Sequence, residues 1–229
     1  MHVPDGFLNL PTSAATAVVA AVGVGAALRG ARRELDERTT PLAGLVASFV
    51  FAAQMLNFPV AAGTSGHLLG GALAAVLVGP WTATLCLSVV LVVQALLFAD
   101  GGLTALGTNI VLMALVGVWV GWWTFRLALG VLPRRVSSVS PAAAIGAFLS
   151  VPVAALTFAA LFAVGGAAPV PVEDLLWAMG AVHVLIGIGE AVITALVCSS
   201  VVAVRPDLVF GARGLSTLPR SRPLDEARR

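Results

Sequence analysis

The 229-residue chain is 59% hydrophobic and only 10% charged, with a mean hydropathy of +1.01. Soluble domains carry about 25% charged residues, so this composition excludes an ordinary soluble fold and points to the bilayer. Every one of the thirteen basic residues is arginine. The pI near 9.0 therefore describes loops that face anionic lipid or cytoplasm, not a nucleic-acid footprint. Cys86 and Cys198 lie inside apolar runs and read as small packing residues, neither a disulfide frame nor a CxxC centre. The start is no signal peptide, because Pro4-Asp5 stand where a basic region should be and no Arg precedes Arg29.

In chain order, the first stretch is Met1-His2-Val3-Pro4-Asp5-Gly6-Phe7-Leu8. A free Met1 amine, the His2 backbone nitrogen and the His2 imidazole can close two fused chelate rings on one divalent ion. His67, folded onto the same spot, would add a fourth nitrogen. A four-nitrogen square suits Ni(II), Cu(II) and, less decisively, Co(II). Pro4 lacks an N–H and fixes its own φ, which stiffens the exit from such a chelate.

The apolar run 13–28 is long enough to approach a crossing of the ~30 Å hydrocarbon core. Within it Ala17, Ala21 and Gly25 recur every four residues, a small-residue stripe that permits close approach of a partner helix. The charged stretch 29–40 reads as an aqueous loop. Residues 41–56 are apolar again, and Pro59, Gly63 and Gly66 forbid a continuous helix over 57–67. The apolar run 67–98 would extend about 48 Å as one helix, too long for one crossing, and Gly79-Pro80-Trp81 is its break. Further spans are predicted over 108–125, 141–164 and 175–203, with an Arg-rich polar tail over 205–229.

Arginine clusters near 29–38, 126–135 and 205–229 belong on the cytoplasmic side under the positive-inside rule. The Arg-free loops near 57–66, 99–107 and 165–174 then lie outside with the N-terminus. The expected fold is an all-α integral membrane protein of about seven transmembrane helices. Its membrane domain covers 1–204, the N-terminus lies outside and inserts into the bundle, and the C-terminus is cytoplasmic. This is a multi-pass protein of a prokaryotic plasma membrane.

Met1-His2-x-Pro4-Asp5-Gly6, the block Ala53–Val60 with Gly63–Gly71, Phe98-Ala99-Asp100-Gly101-Gly102 and His183-x-x-Ile186-Gly187-x-Gly189-Glu190-Ala191 resemble the CbiM/NikM family. These are substrate-specific components of energy-coupling-factor transporters for cobalt and nickel. The resemblance implies that Met1, His2 and His67 hold Ni2+ or Co2+ as transported substrate, with no organic cofactor. It also implies a transmembrane coupling subunit, two cytoplasmic ATPases and often a small accessory membrane subunit as partners. Nickel is slightly favoured over cobalt, from Pro4-Asp5 and from the strong field of a deprotonated amide.

Other polar residues have plainer readings beside the functional ones. Asp5 reads as a turn residue, and Asp100 as the tether of its own Gly-rich loop. Asn57, Thr64 and Ser65 either cap helices or orient a ligand imidazole. His183 and Glu190 fall on one helical face about 10 Å apart; an intramembrane ionisable group is a functional candidate, yet this pair reads first as a brace between helices. The chain has no phosphate-binding G-x-x-x-x-G-K-[ST] loop, so any ATP hydrolysis is expected from partners. The competing classes are an intramembrane metalloenzyme using His183 and Glu190, and a structural or channel-like membrane protein.

Overall fold

A computed structural model describes residues 2–37, 39–56, 58–59 and 65–215. Helix α1 (Leu10–Ala31) starts where Asn9 accepts the Thr12 amide at 3.0 Å. Its neighbour α2 (Thr39–Gln54) opens on a reciprocal cap. The Asp36 carboxylate accepts the Thr39 amide at 2.8 Å, and the Thr39 hydroxyl accepts the Asp36 amide at 2.9 Å. A two-residue antiparallel pair, β1 (Phe58–Pro59) and β2 (Ser65–Gly66), precedes α3 (Gly71–Val78) and α4 (Pro80–Leu97). Next, α5 (Leu106–Asn109), a π-helical stretch (Ile110–Gly117) and α6 (Val118–Val131) run on as one 26-residue helix. Helices α7 (Val139–Gly165) and α8 (Val172–Val204) complete the bundle.

Among the described residues the architecture is all-helical apart from that strand pair, and five helices are long and apolar enough to cross a membrane. The expected bundle of about seven helices contains segments of unequal length. Helix α2 has 16 residues, whereas α3 has eight, about 12 Å of rise, too short to cross. All eight α3 residues are buried. Their apolarity serves contact with protein on every side rather than contact with lipid. The predicted break at Gly79-Pro80-Trp81 is where α3 ends and α4 begins.

That break is closed by a residue from the first loop. Both Glu34 oxygens accept backbone N–H groups at the start of α4, from Trp81 at 3.1 Å and Thr82 at 2.7 Å. Burial pushes the Glu34 carboxyl above its ordinary value, against the opposing pull of those donors. Gly79 has φ +95°, and a Cβ there would stand 2.5 Å from the Glu34 carboxyl carbon. On another seam, α3, α6 and α7 approach to backbone contact. A Cβ on Gly121 would meet Ala72 at 2.5 Å, and one on Gly146 would meet the Gly121 carbonyl oxygen at 2.5 Å.

Arg126, Arg134 and Arg213 line one cavity at a single end of the bundle, and Arg213 lies 3.9 Å from Asp36 there. The chain beyond α8 does not leave this end at once. Val209 and Ala212 are buried, and Gly211 packs on Phe125 and Val76. Residues 216–229 of the expected tail lie outside the described residues. The small-residue stripe of α1 is divided. Ala17 meets Gly107 through its backbone, whereas a Cβ on Gly25 would find open space, and the Ala21 side chain is exposed.

The opposite end is closed by the N-terminal segment, which threads inward and buries His2, Val3 and Leu8. Its backbone is tied to the bundle at several points. Val3 donates to Asn109 Oδ1 at 2.8 Å and accepts from Asn109 Nδ2 at 3.1 Å and from the Gly102 amide at 2.9 Å. Farther along, the Asn9 amide donates to the Gly165 carbonyl at 2.7 Å, and Ala167 donates to the Phe7 carbonyl at 2.9 Å. Asp5 makes more than a local turn. Its carboxylate accepts from the Thr104 amide at 2.7 Å, the Leu103 amide at 3.2 Å and the Thr104 hydroxyl. Those donors, the Thr104 hydroxyl first, hold the Asp5 carboxyl below its ordinary value.

Two outcomes are expected. Glu34→Ala strips acceptors from two amides at a buried turn and should lower stability by about 1–3 kcal/mol, read as a lower thermal midpoint in detergent micelles. Glu34→Gln, keeping one acceptor, should lose less, and no loss for Glu34→Ala would remove the cap from the account. For Asp5, a folded-state pKa below the unfolded one gives stability present above the ordinary carboxylate value of 3.8 and lost as pH falls through the depressed one. Amide protection at Leu103 and Thr104, corrected for intrinsic exchange, should hold at neutral pH and fall only below that value. Loss near neutral pH would contradict the tether.

Candidate metal centre

His2 and His67, 65 positions apart in the sequence, stack face to face with ring centroids 4.4 Å apart and planes at 27°. Three supports set the His2 ring. Its Nε2 donates to Gln94 Oε1 at 3.1 Å, which leaves Nδ1 with the lone pair. That Nδ1 has no hydrogen-bond partner among the described residues, yet lies 3.1 Å from Asp100 Oδ1. A ring lone pair and a carboxylate oxygen at this separation repel unless a proton or a cation sits against them. The third support is Gly101, at φ +96°, where a Cβ would come within 3.3 Å of the His2 ring. Next to Asp100, Ala99 holds a positive φ of 52°, a conformation kept only where neighbours enforce it.

His67 is fully buried just ahead of α3. Its Nδ1 donates to the Leu68 carbonyl at 2.8 Å, so the lone pair is on Nε2, which has no partner among the described residues. Full burial disfavours a charged ring. A neutral imidazole with one unpaired nitrogen is the ligating form. The segment carrying it is fastened at three points. Gln54 Nε2 donates to the Leu69 carbonyl at 2.7 Å. The two Glu190 oxygens accept the Leu69 amide at 2.8 Å and the Gly70 amide at 2.6 Å.

His183 and Glu190 share the one buried stripe of α8, Leu175, Met179, His183, Gly187, Glu190, Thr194 and Cys198, a spacing of three to four that keeps a single face inward. They do not brace each other. Glu190 serves the His67 segment, and His183 donates Nδ1–H to Met179 one turn back, at 2.9 Å. Both oxygens of Glu190, the carboxylate the metalloenzyme alternative relies on, are engaged by amides. Asp100, expected to tether its own loop, lies against His2. Met1, Asn57 and Thr64 lie outside the described residues; Ser65 enters β2.

Sequence reasoning passed over three residues of the site, namely Gln54, Gln94 and Asn109. Each is buried, at 0%, 0% and 1% exposure. The available signal was an amide side chain standing in an otherwise apolar run, which must find a partner inside the protein.

No group of three or more His, Cys, Asp and Glu that could hold an ion occurs among the described residues. The ring nitrogens left without a hydrogen-bond partner on the stacked pair are His2 Nδ1 and His67 Nε2.

A family model described as the cobalt uptake substrate-specific transmembrane region, CbiM, matches residues 2–208. A Haloquadratum walsbyi protein is 41% identical over 210 residues, covering 92% of this chain and 94% of its own. The fused nickel transport protein NikMN of Rhodobacter capsulatus is 36% identical over 226 residues, 93% of this chain and 65% of that one. A crystal structure of a truncated transition metal transporter superposes with a TM-score of 0.83 at 31% identity, covering 89% of this chain and 99% of that one. With the bundle, the inserted N-terminal segment and the facing histidines already in place, these likenesses make the chain a member of the CbiM family, the multi-pass prokaryotic membrane components of cobalt and nickel uptake.

Proposed function

We propose that this chain is the metal-capturing subunit of an ATP-driven importer. It takes Ni2+ or Co2+ into a plane formed by the Met1 amine, the His2 backbone nitrogen, His2 Nδ1 and His67 Nε2. The observation that carries this reading is the stacked pair of buried imidazoles, each with its other nitrogen engaged and the ligating nitrogen left without a hydrogen-bond partner. Gln94 and the Leu68 carbonyl act as tautomer locks, which spare the site a proton rearrangement when the ion arrives. Asp100, beside His2 Nδ1, offsets the ion's charge. A divalent ion, one deprotonated amide and one carboxylate sum to zero, the charge a buried site tolerates best.

The arginine-rich end faces the cytoplasm on this reading, so the N-terminal segment opens to the outside. The metal is transported substrate, and ATP hydrolysis belongs to two cytoplasmic ATPases acting through a transmembrane coupling subunit, with a small accessory membrane subunit alongside. The exposed Ala21 and the open Gly25 on α1 offer the close approach a partner helix needs. Nickel is favoured over cobalt, because a plane containing an amide anion imposes the strong field that d8 Ni(II) prefers.

Removing a single ligand tests the site. His67→Ala leaves three nitrogens and one open position. Since loss of an outer support already costs about 10–100-fold in affinity, loss of a ligand should exceed that, and uptake should fall with it. Inserting one residue between Met1 and His2 shifts the histidine to position three, where two amides complete a plane without His67. That variant should keep a 1:1 metal stoichiometry yet lose uptake. Wild-type affinity and uptake in His67→Ala would overturn the four-nitrogen plane.

A further inference from the structure

The arginine-lined cavity stands at the end of the bundle opposite the N-terminal segment. It measures about 140 Å³, and Arg126, Gly130, Arg134, Gly211, Arg213 and Leu215 line it. Three guanidinium groups around one hollow make it a place of positive potential that favours an anion.

Aromatic rings hold two of these groups in place. The Arg126 guanidinium lies over Trp122, 5.6 Å from the ring centroid, and that of Arg213 lies over Phe210 at 4.6 Å. The two rings pack on each other with centroids 5.6 Å apart, so one aromatic platform carries both cations. Trp122 comes from α6, and Phe210 from the segment that follows α8. A guanidinium seated with its face on a ring keeps its N–H edge for an acceptor.

The carboxylates of the α1–α2 loop are committed elsewhere. Asp36 approaches Arg213 only to 3.9 Å, with both side chains about half exposed, a contact worth little. Its Oδ1 already caps α2 through Thr39. Both oxygens of Glu34 accept the Trp81 and Thr82 amides.

Depth identifies the anion. Arg126 and Gly130 lie in the last two turns of α6, which ends a helix long enough to span the bilayer. On those turns Trp123 and Leu127 are 59% and 72% exposed, and tryptophans at a helix end sit at headgroup level. Basic pockets between membrane helices take anionic headgroups. We propose that this cavity binds the phosphate of an anionic membrane lipid, whose oxygens accept paired N–H bonds from Arg126 and Arg213. The acyl chains then run along Trp123 and Leu127, and the headgroup ties the C-terminal segment to α6. This site is independent of how the metal is held.

The full-length chain in detergent micelles is titrated with phosphatidylglycerol, with phosphatidylcholine and with inorganic phosphate, and native mass spectrometry counts what each chain retains. One phosphatidylglycerol per chain is expected, held more tightly than phosphatidylcholine, with no retention of phosphate. Arg126→Gln and Arg213→Gln should each weaken retention about 5-fold, and the pair about 30-fold. Arg135→Gln, outside the cavity lining, should change nothing. Gly130→Leu keeps every charge, and its Cβ has open space, so the fold should hold while the added bulk lowers retention. An unchanged thermal midpoint in lipid-free micelles separates each loss from misfolding. An equal loss in Arg135→Gln, or unchanged retention in Gly130→Leu, reduces the attraction to diffuse surface charge and overturns the site. Phosphate held as tightly as the lipid overturns the lipid assignment. A wild-type chain that retains neither overturns the proposal outright and leaves the cavity to an acidic side chain of a partner protein.

Discussion

The structure depends on burying a polar N-terminal segment inside an apolar bundle. At membrane depth no solvent satisfies a free amide, so each N–H and C=O of such a segment must find its partner within the protein. Asn109 meets the requirement at Val3 with both ends of one side chain, and the Gly102 amide takes the same carbonyl. Two facing glycines make the close approach feasible: a Cβ on Gly101 would press on Asn109 and His2, and one on Gly102 would run into the Pro4–Asp5 backbone. The 99–105 loop is thus shaped by the segment it receives, and its one strained non-glycine residue, Ala99, sits beside the carboxylate that faces His2.

The second ligand segment is held by the same logic with different chemistry. The stretch ahead of α3 is irregular backbone in a buried place, tolerated because Glu190 and Gln54 satisfy it from two other helices. A carboxylate at the start of α3 also meets the positive end of the helix dipole. This arrangement makes α8 the element to which the His67 segment is fastened. Only a narrow stripe of α8 faces inward, and Leu176, Trp177, Leu185, Ile188, Val192 and Leu196 are exposed. A displacement of α8 would therefore be felt at Leu69 and Gly70, two and three residues from His67.

How much of this was legible in the sequence follows from the kind of signal each residue gives. The helix break at Gly79-Pro80 was readable because proline and a positive-φ glycine act locally. The pairing of His2 with His67 was readable from donor chemistry at a chain start and from the resemblance to a known family, and the two rings do stack. The count of spans was less readable. Hydropathy scores apolar residues alike whether they face lipid or protein, and α3 is apolar on all sides because it is enclosed. The Glu34 cap, the Asn109 clamp and the Gln94 support escaped notice because their partners lie 47, 106 and 92 positions away. Likewise the spacing of His183 and Glu190 placed them on one face without revealing that they turn to different partners.

Electrostatics connects the proposed capture with the choice of ion. Asp100 is the carboxylate set against His2 Nδ1, and a buried site strongly penalises net charge. A divalent ion that displaces the amide proton is left with one positive charge, which a single carboxylate neutralises. A monovalent ion doing the same would leave the site net negative. A divalent ion too weakly polarising to displace the proton would leave it net positive, with only three nitrogens in the plane. Mg2+ and Ca2+ belong to that last class, since both prefer oxygen ligands and do not deprotonate amides. On this argument selection arises from coupling the amide proton to a single half-buried carboxylate, and the histidines need only present nitrogen lone pairs already fixed by Gln94 and the Leu68 carbonyl.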